Sequence, residues 1–314
     1  MNININNKSL ISILFIVVLT YLLINKIIKY YHENIEKPEK STTNFIYYIN
    51  LDRDTDRKDF MENQFKKCDI DAIRFNAVDK KKIDLNILQN NGNLLLDKNS
   101  ASKQSFWQHN TSGPNKVEIN SLKGSIACAL SHITIWYKYL RECRYLLSKN
   151  IIPKHAIIFE DDSIVFPYFN RRIRECLNEV PEDWDIILLG GSRIYGNKIS
   201  KHIIKAKFVN NWQNCGLFGY IINYKGSIKL VELTFPLKTY IDFQINQHYG
   251  KGINAYYVYP PIVYHNYDME SVRKEFKDGK KFKYSKHFVE AANEVKIVSD
   301  TTYETNLPDS SDAE

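Results

Sequence analysis

The chain has 314 residues, 44% hydrophobic and 25% charged, which excludes a disordered polymer and allows a sizeable core. Its formal charge of +7 is mild and spread out; no Lys/Arg block marks a nucleic-acid face, so a nuclease that needs one is excluded too. Five scattered cysteines, an odd number without a CxxC pair, exclude a zinc ribbon or disulfide framework and read as buried thiols.

A skew towards Ile, Asn, Lys, Tyr and Phe is what A/T-rich codons produce, as in a large DNA virus. Residues 1–9 form a short tail. Residues 10–28 are apolar apart from Ser12, Thr20, Asn25 and Lys26, close to the roughly 20 residues a helix needs to cross a bilayer. Lys26, Lys29, Tyr30 and Tyr31 stand where a cleavage site needs small residues, which predicts an uncleaved anchor and a single-pass membrane protein. Orientation stays open: Lys26 and Lys29 favour a cytoplasmic catalytic domain, whereas the sequon Asn110-Thr111-Ser112 is usable only on the lumenal side. Residues 29–44, with Pro38 and a Ser-Thr-Thr run, read as a linker.

The run Phe45-Ile46-Tyr47-Tyr48-Ile49, closed by Asn50, suits a strand buried on both faces of a mainly parallel sheet. A helix follows over 52–67, with Phe60, Met61 and Phe65 on one side, then a strand over 72–77. Residues 80–123 carry little periodicity and read as a long excursion of the kind that serves binding on α/β scaffolds. From Gly124 the pattern is helical: Ile126, Leu130, Ile133, Tyr137, Leu140 and Leu147 make one apolar stripe, with His132 at its edge. Ala156-Ile157-Ile158-Phe159 is a short buried strand that runs straight into Glu160-Asp161-Asp162. Further strands are predicted at 185–189, 217–222 and 255–259, and the alternation argues for an open α/β sheet. Residues 291–314 read as a disordered tail.

Three adjacent carboxylates at the carboxyl end of a buried strand stand where α/β folds bind ligands. They suit Mn²⁺ or Mg²⁺, which takes one or two carboxylates plus substrate phosphates; the alternative is a solvated turn or helix cap. Likewise Asp52-Arg53-Asp54-Thr55-Asp56-Arg57 is either a capped helix with surface ion pairs or a strand end that sets Arg53 or Arg57 near phosphate.

Six ordered blocks carry a family resemblance. They are Asn50-Leu51-Asp52-Arg53 with Arg57; Arg74-Phe75-Asn76-Ala77-Val78-Asp79; and Gly124-Ser125-Ile126-Ala127-Cys128-Ala129-Leu130-Ser131-His132 with Trp136. Then come Glu160-Asp161-Asp162; Trp184-Asp185-Ile186-Ile187-Leu188-Leu189-Gly190; and Gly216 to Ile222 with Tyr240-Ile241-Asp242. Together they resemble glycosyltransferase family 25, which includes lipopolysaccharide and procollagen galactosyltransferases.

The resemblance implies a GT-A type nucleotide-diphospho-sugar transferase fold with a mostly parallel central sheet, here preceded by one transmembrane helix. The catalytic domain would span 45–290, with a nucleotide-binding half at 45–191 and an acceptor half at 192–290. It implies a UDP-sugar donor, most often UDP-galactose, and transfer to a hydroxyl of a protein or glycan acceptor, with no nucleic acid involved. Asn50, Asp52, Arg53, Arg57, Asp79 and Glu160 would then serve the donor. Asp161, Asp162 and His265 would hold Mn²⁺ or Mg²⁺, and Asp242 and His132 would be catalytic. A catalytically inactive glycan- or nucleotide-binding protein on the same fold is the alternative.

Overall fold

The computed structural model describes residues 39–40, 45–94, 119–191, 194–208, 214–266, 269, 297–299 and 302–303. Strand β1 (Phe45–Asn50) is the first apolar run. Successive strand residues face opposite ways, so Phe45, Tyr47 and Ile49 enter one core while Tyr48 enters the other. Helix α1 (Thr55–Cys68) begins three residues later than predicted, because Asp54 N–H closes a turn on Leu51 O at 3.0 Å. Strand β2 (Ile73–Asn76) follows, then a 3₁₀ turn at Lys80–Lys82 and helix α2 (Leu85–Asn90), which Asp84 caps. Part of the expected excursion is therefore regular structure; 95–118 lie outside the described residues.

Helix α3 (Ile119–Ser148) runs for 30 residues. The predicted stripe is broader than it looked and rotated. Tyr137 and Leu147 are exposed, whereas Ile126, Ile133, Trp136, Tyr139 and Cys143 are buried and His132 is 1% exposed, well inside rather than at the edge. Besides a short parallel pair of Glu39–Lys40 with Ile151–Ile152, the further elements are β3 (Ala156–Glu160), β4 (Ser163–Val165), α4 (Phe169–Glu179), β5 (Ile186–Leu188), β6 (Gly196–Lys198), β7 (Ile203–Ala206), β8 (Gly219–Ile222), α5 (Tyr224–Thr234), α6 (Ile241–Asn246), β9 (Ala255–Val258) and β10 (Val263–His265).

Eight strands form one sheet in the order β2-β1-β3-β8-β5-β9-β7-β6. The expectation of a mostly parallel sheet is corrected. The pairs β2-β1, β1-β3 and β5-β9 are parallel, but β3-β8, β8-β5, β9-β7 and β7-β6 are antiparallel, so three of seven pairs are parallel. The physical reason is β8, which follows β7 in the chain yet inserts between β3 and β5, running against both. Helices α3, α5 and α6 cover one face and α1 and α4 the other, which makes a three-layer α/β domain.

The expected membrane anchor is also corrected. Among the described residues no helix is long and apolar enough to cross a membrane; even the 30-residue α3 carries Lys123, Lys138, Arg141, Glu142 and Arg144. Residues 10–28 lie outside the described residues, and the single-pass membrane assignment, with the membrane as partner, is not carried forward. Of the predicted tail, only paired strands at Ile297–Ser299 and Thr302–Tyr303 are described.

Candidate functional site

The apolar run of β3 ends at Glu160, and the chain turns through Asp161 and Asp162 before β4. Beside it β10 pairs with β4, so that His265 sits opposite Ser163, and Asn266 N–H donates to Asp162 O at 2.7 Å. That approach depends on Gly190. A Cβ there would lie 1.7 Å from the Val263 carbonyl oxygen, so any side chain would push β10 away.

A cavity of about 380 Å³ opens at this corner, where β1, α1, α3, β3 and α6 converge. Of the residues predicted from sequence, it brings together Arg53, Arg57, His132, Glu160, Asp161, Asp162, Asp242 and His265. Asn50, Asp52 and Asp79 are not on its wall. Asn50 is buried behind it and holds Asp161, its Nδ2 donating to Oδ2 at 2.8 Å. Asp52 faces outward to Arg74 at 2.7 Å and Asn76 at 2.6 Å. Asp79 accepts from Arg53 and from Lys81 N–H, so it caps the 3₁₀ turn and anchors Arg53.

Arg57 is the buried cation of the site. Its guanidinium donates to Asp161 and, at 3.1 Å, to Asp162 Oδ2. Burial pushes Asp161 up to about 6, Arg57 opposes this, and the neighbouring Asp162 adds to the rise. The other Asp162 oxygen, Oδ1, is buried and has no hydrogen-bond partner among the described residues. His265 Nε2 lies 3.6 Å from Asp162 Oδ2, its ring 5.0 Å from that of Phe218. An unsatisfied buried carboxylate oxygen is costly, and with an imidazole beside the same carboxylate the two side chains make a donor pair that a divalent cation fits.

Also on the cavity wall, His132 joins α3 to the sheet. Trp136 Nε1–H donates to Tyr220 Oη at 2.9 Å, and Tyr220 Oη pairs with His132 Nδ1 at 2.8 Å. His132 Nε2 faces Glu160 Oε1 at 3.1 Å. With Glu160 as the acceptor, Nε2 carries a proton towards it, and Tyr220 Oη, which takes Trp136 N–H on one lone pair, has a second lone pair for Nδ1–H. Burial alone would lower the imidazole pKa; Tyr220, Cys128 and Glu160 outweigh it and hold His132 well above its ordinary value.

Asp242, near the start of α6, accepts Gly216 N–H at 2.9 Å on Oδ2 and Phe243 N–H at 2.8 Å on Oδ1. Each oxygen keeps a second lone pair. Sequence reasoning passed over Cys128 and Tyr220; the four-residue step from Cys128 to His132 was the legible signal that both face one way.

Residues 43–245 match the model of glycosyltransferase family 25 (LPS biosynthesis protein); His265 lies beyond them. The chain is 26% identical over 72% of its length to a glycosyltransferase 25 family member of Drosophila melanogaster, covering 35% of that protein. It is 23% identical over 70% of its length to human procollagen galactosyltransferase 2, covering 33% of it. A Bos taurus protein described as a probable inactive glycosyltransferase 25 family member 3 is 21% identical over 71% of this chain, with 35% of its own length covered. The chain thus spans about a third of the length of these relatives.

Proposed function

The chain belongs to glycosyltransferase family 25, and from that premise we propose that it moves a hexose, galactose first among candidates, from a UDP-sugar to a hydroxyl of a protein or glycan acceptor. The carrying observation is Asp162, whose buried Oδ1 has no hydrogen-bond partner among the described residues and whose Oδ2 lies 3.6 Å from His265 Nε2, in a cavity that also offers Arg53, Lys80 and Asp242.

Asp162 and His265, with Asp161, would hold Mn²⁺ or Mg²⁺. When bound, the ion supplies Lewis-acid neutralisation of the charge that builds on the leaving diphosphate. Arg57 bonds to both Asp161 and Asp162 and offsets the repulsion between the adjacent carboxylates. Arg53, steadied by Asp79, and Lys80 face the cavity as counter-charges for phosphate. Asp242 receives the proton of the acceptor hydroxyl, and its two backbone N–H partners fix the carboxylate for that step. His132 keeps Glu160 oriented at the wall through the bond from Nε2.

A catalytically inactive binding protein would have no need of ion donors, a phosphate counter-charge and a base in one cavity. The test is UDP release by the purified chain with Mn²⁺ and a panel of UDP-sugars. Asp162→Asn should abolish the metal-dependent release, and undiminished activity in that variant would overturn the assignment.

A further inference from the structure

One group of side chains in the cavity has chemistry unlike the Asp162–His265 corner. Cys128 and His132 stand four residues apart on α3 and so share a face; Glu160 ends β3 opposite them. Cys128 Sγ, His132 Nε2 and a Glu160 oxygen all lie within 4.8 Å of one another. His132 Nε2 is 3.1 Å and Cys128 Sγ 3.9 Å from Glu160 Oε1.

Metal–ligand bonds of roughly 2.0–2.3 Å put neighbouring corners of a tetrahedral zinc site roughly 3.3–3.8 Å apart, so small side-chain shifts would close this set on one ion. The far nitrogen of His132 already has the partner that orients a ligating imidazole: Tyr220 Oη at 2.8 Å, itself fixed by Trp136. A thiolate and a carboxylate supply two negative charges, matching a divalent ion. All three residues line the cavity, which leaves a fourth position open to it.

We propose that Cys128, His132 and Glu160 form a second cation site, suited to Zn²⁺ by its sulfur and nitrogen donors, separate from the oxygen-rich corner that suits Mn²⁺. Binding releases the thiol proton and, from the doubly protonated His132 ring, the Nε2 proton, so that Nε2 ligates while Nδ1–H stays on Tyr220 Oη. A zinc ion there takes Glu160 and His132 out of their hydrogen bond and fills the wall of the cavity, so it inhibits transfer; that last consequence rests on the proposed reaction.

The test uses Co²⁺ alone as a spectroscopic stand-in, titrated into the whole purified chain with Zn²⁺ as competitor. One equivalent should give a thiolate-to-cobalt band in the near ultraviolet and visible bands of tetrahedral intensity, both erased by Zn²⁺. Cys128→Ser should remove the ultraviolet band and Asp162→Asn should keep it. No band in the wild type, a band that survives in Cys128→Ser, or one lost in Asp162→Asn overturns the site. Cys128→Ala repeats the test should the serine variant lack a thermal unfolding transition. In UDP release, Zn²⁺ should inhibit the wild type at least tenfold more strongly than Cys128→Ser. Equal inhibition refutes the regulatory consequence, and absent release in every protein condemns the transfer reaction while the cobalt spectrum still decides the site.

Discussion

Replacing Arg57 by Met keeps an unbranched apolar stem on α1 and removes the guanidinium with its charge and donors. Asp161 and Asp162 then face each other with Asn50 as the remaining donor to Asp161. Removing one partner from a buried ion pair costs about 3–5 kcal/mol when the survivor stays charged. Asp161 has a way out, since burial has already raised it to about 6 and Arg57 is what restrains it. A carboxyl raised above its unfolded value contributes most below the unfolded pKa and loses that contribution as pH rises through the folded one. In the wild type this loss falls between about pH 4 and pH 6 and amounts to about 3 kcal/mol. In Arg57→Met the pKa climbs further and the window extends upward. The variant should be about 3 kcal/mol less stable at neutral pH, and the deficit should shrink to about 1 kcal/mol near pH 5, where Asp161 is protonated in both proteins. Urea unfolding followed by circular dichroism, with a chelator present, measures both values. Equal stability at neutral pH, or a deficit that does not change with pH, would refute the electrostatic account of this corner.

Gly190→Ala should lower the melting temperature and abolish metal-dependent UDP release together, because the new methyl meets a backbone oxygen and displaces the strand that carries His265; an active, stable variant would contradict this. Tyr220→Phe leaves Trp136 Nε1–H and His132 Nδ1 buried without their shared partner and should cost about 2–4 kcal/mol. Adding Trp136→Phe should then cost less than it does alone, which a double-mutant cycle reads directly. His155 is held down to about 4 by burial and by Lys154. Its stabilising contribution is complete above the unfolded value near pH 6.5 and is lost as pH falls towards 4. His155→Gln should therefore cancel about 2 kcal/mol of acid-induced destabilisation near pH 5, seen as a flatter dependence of urea midpoint on pH.

The strands were the most legible part of the sequence, since β1, β3, β5 and β9 are short apolar runs that must be buried. The direction of each strand was not. Gly219-Tyr220-Ile221-Ile222 reads the same whether parallel or antiparallel to β3, and only its packing between β3 and β5 decides. The acidic triplet and its position at a strand end were readable for the same reason as the strands. Its internal division of labour was hidden, because Arg57 and Asn50 lie more than 100 residues from Asp161 and act through three-dimensional contact. Asp52 and Asp79 belong to the motifs that carry the family likeness, yet they orient Arg74 and Arg53 rather than line the cavity. The stripe on α3 misled because the helix is buried around much of its girth; Trp136 and Tyr139 pack inside while Tyr137 projects outward.

The insertion of β8 also bears on how the molecule is made. A ribosome releases β1, β3 and β5 long before β8, so the emerging chain holds β3 and β5 with the strand that joins them still missing. The corner with three acids is synthesised early, but its imidazole on β10 comes last among the cavity residues. Sheet and site are therefore complete only once β8, β9 and β10 have all been made, and a chain halted before residue 219 should stay protease-sensitive and dependent on chaperones.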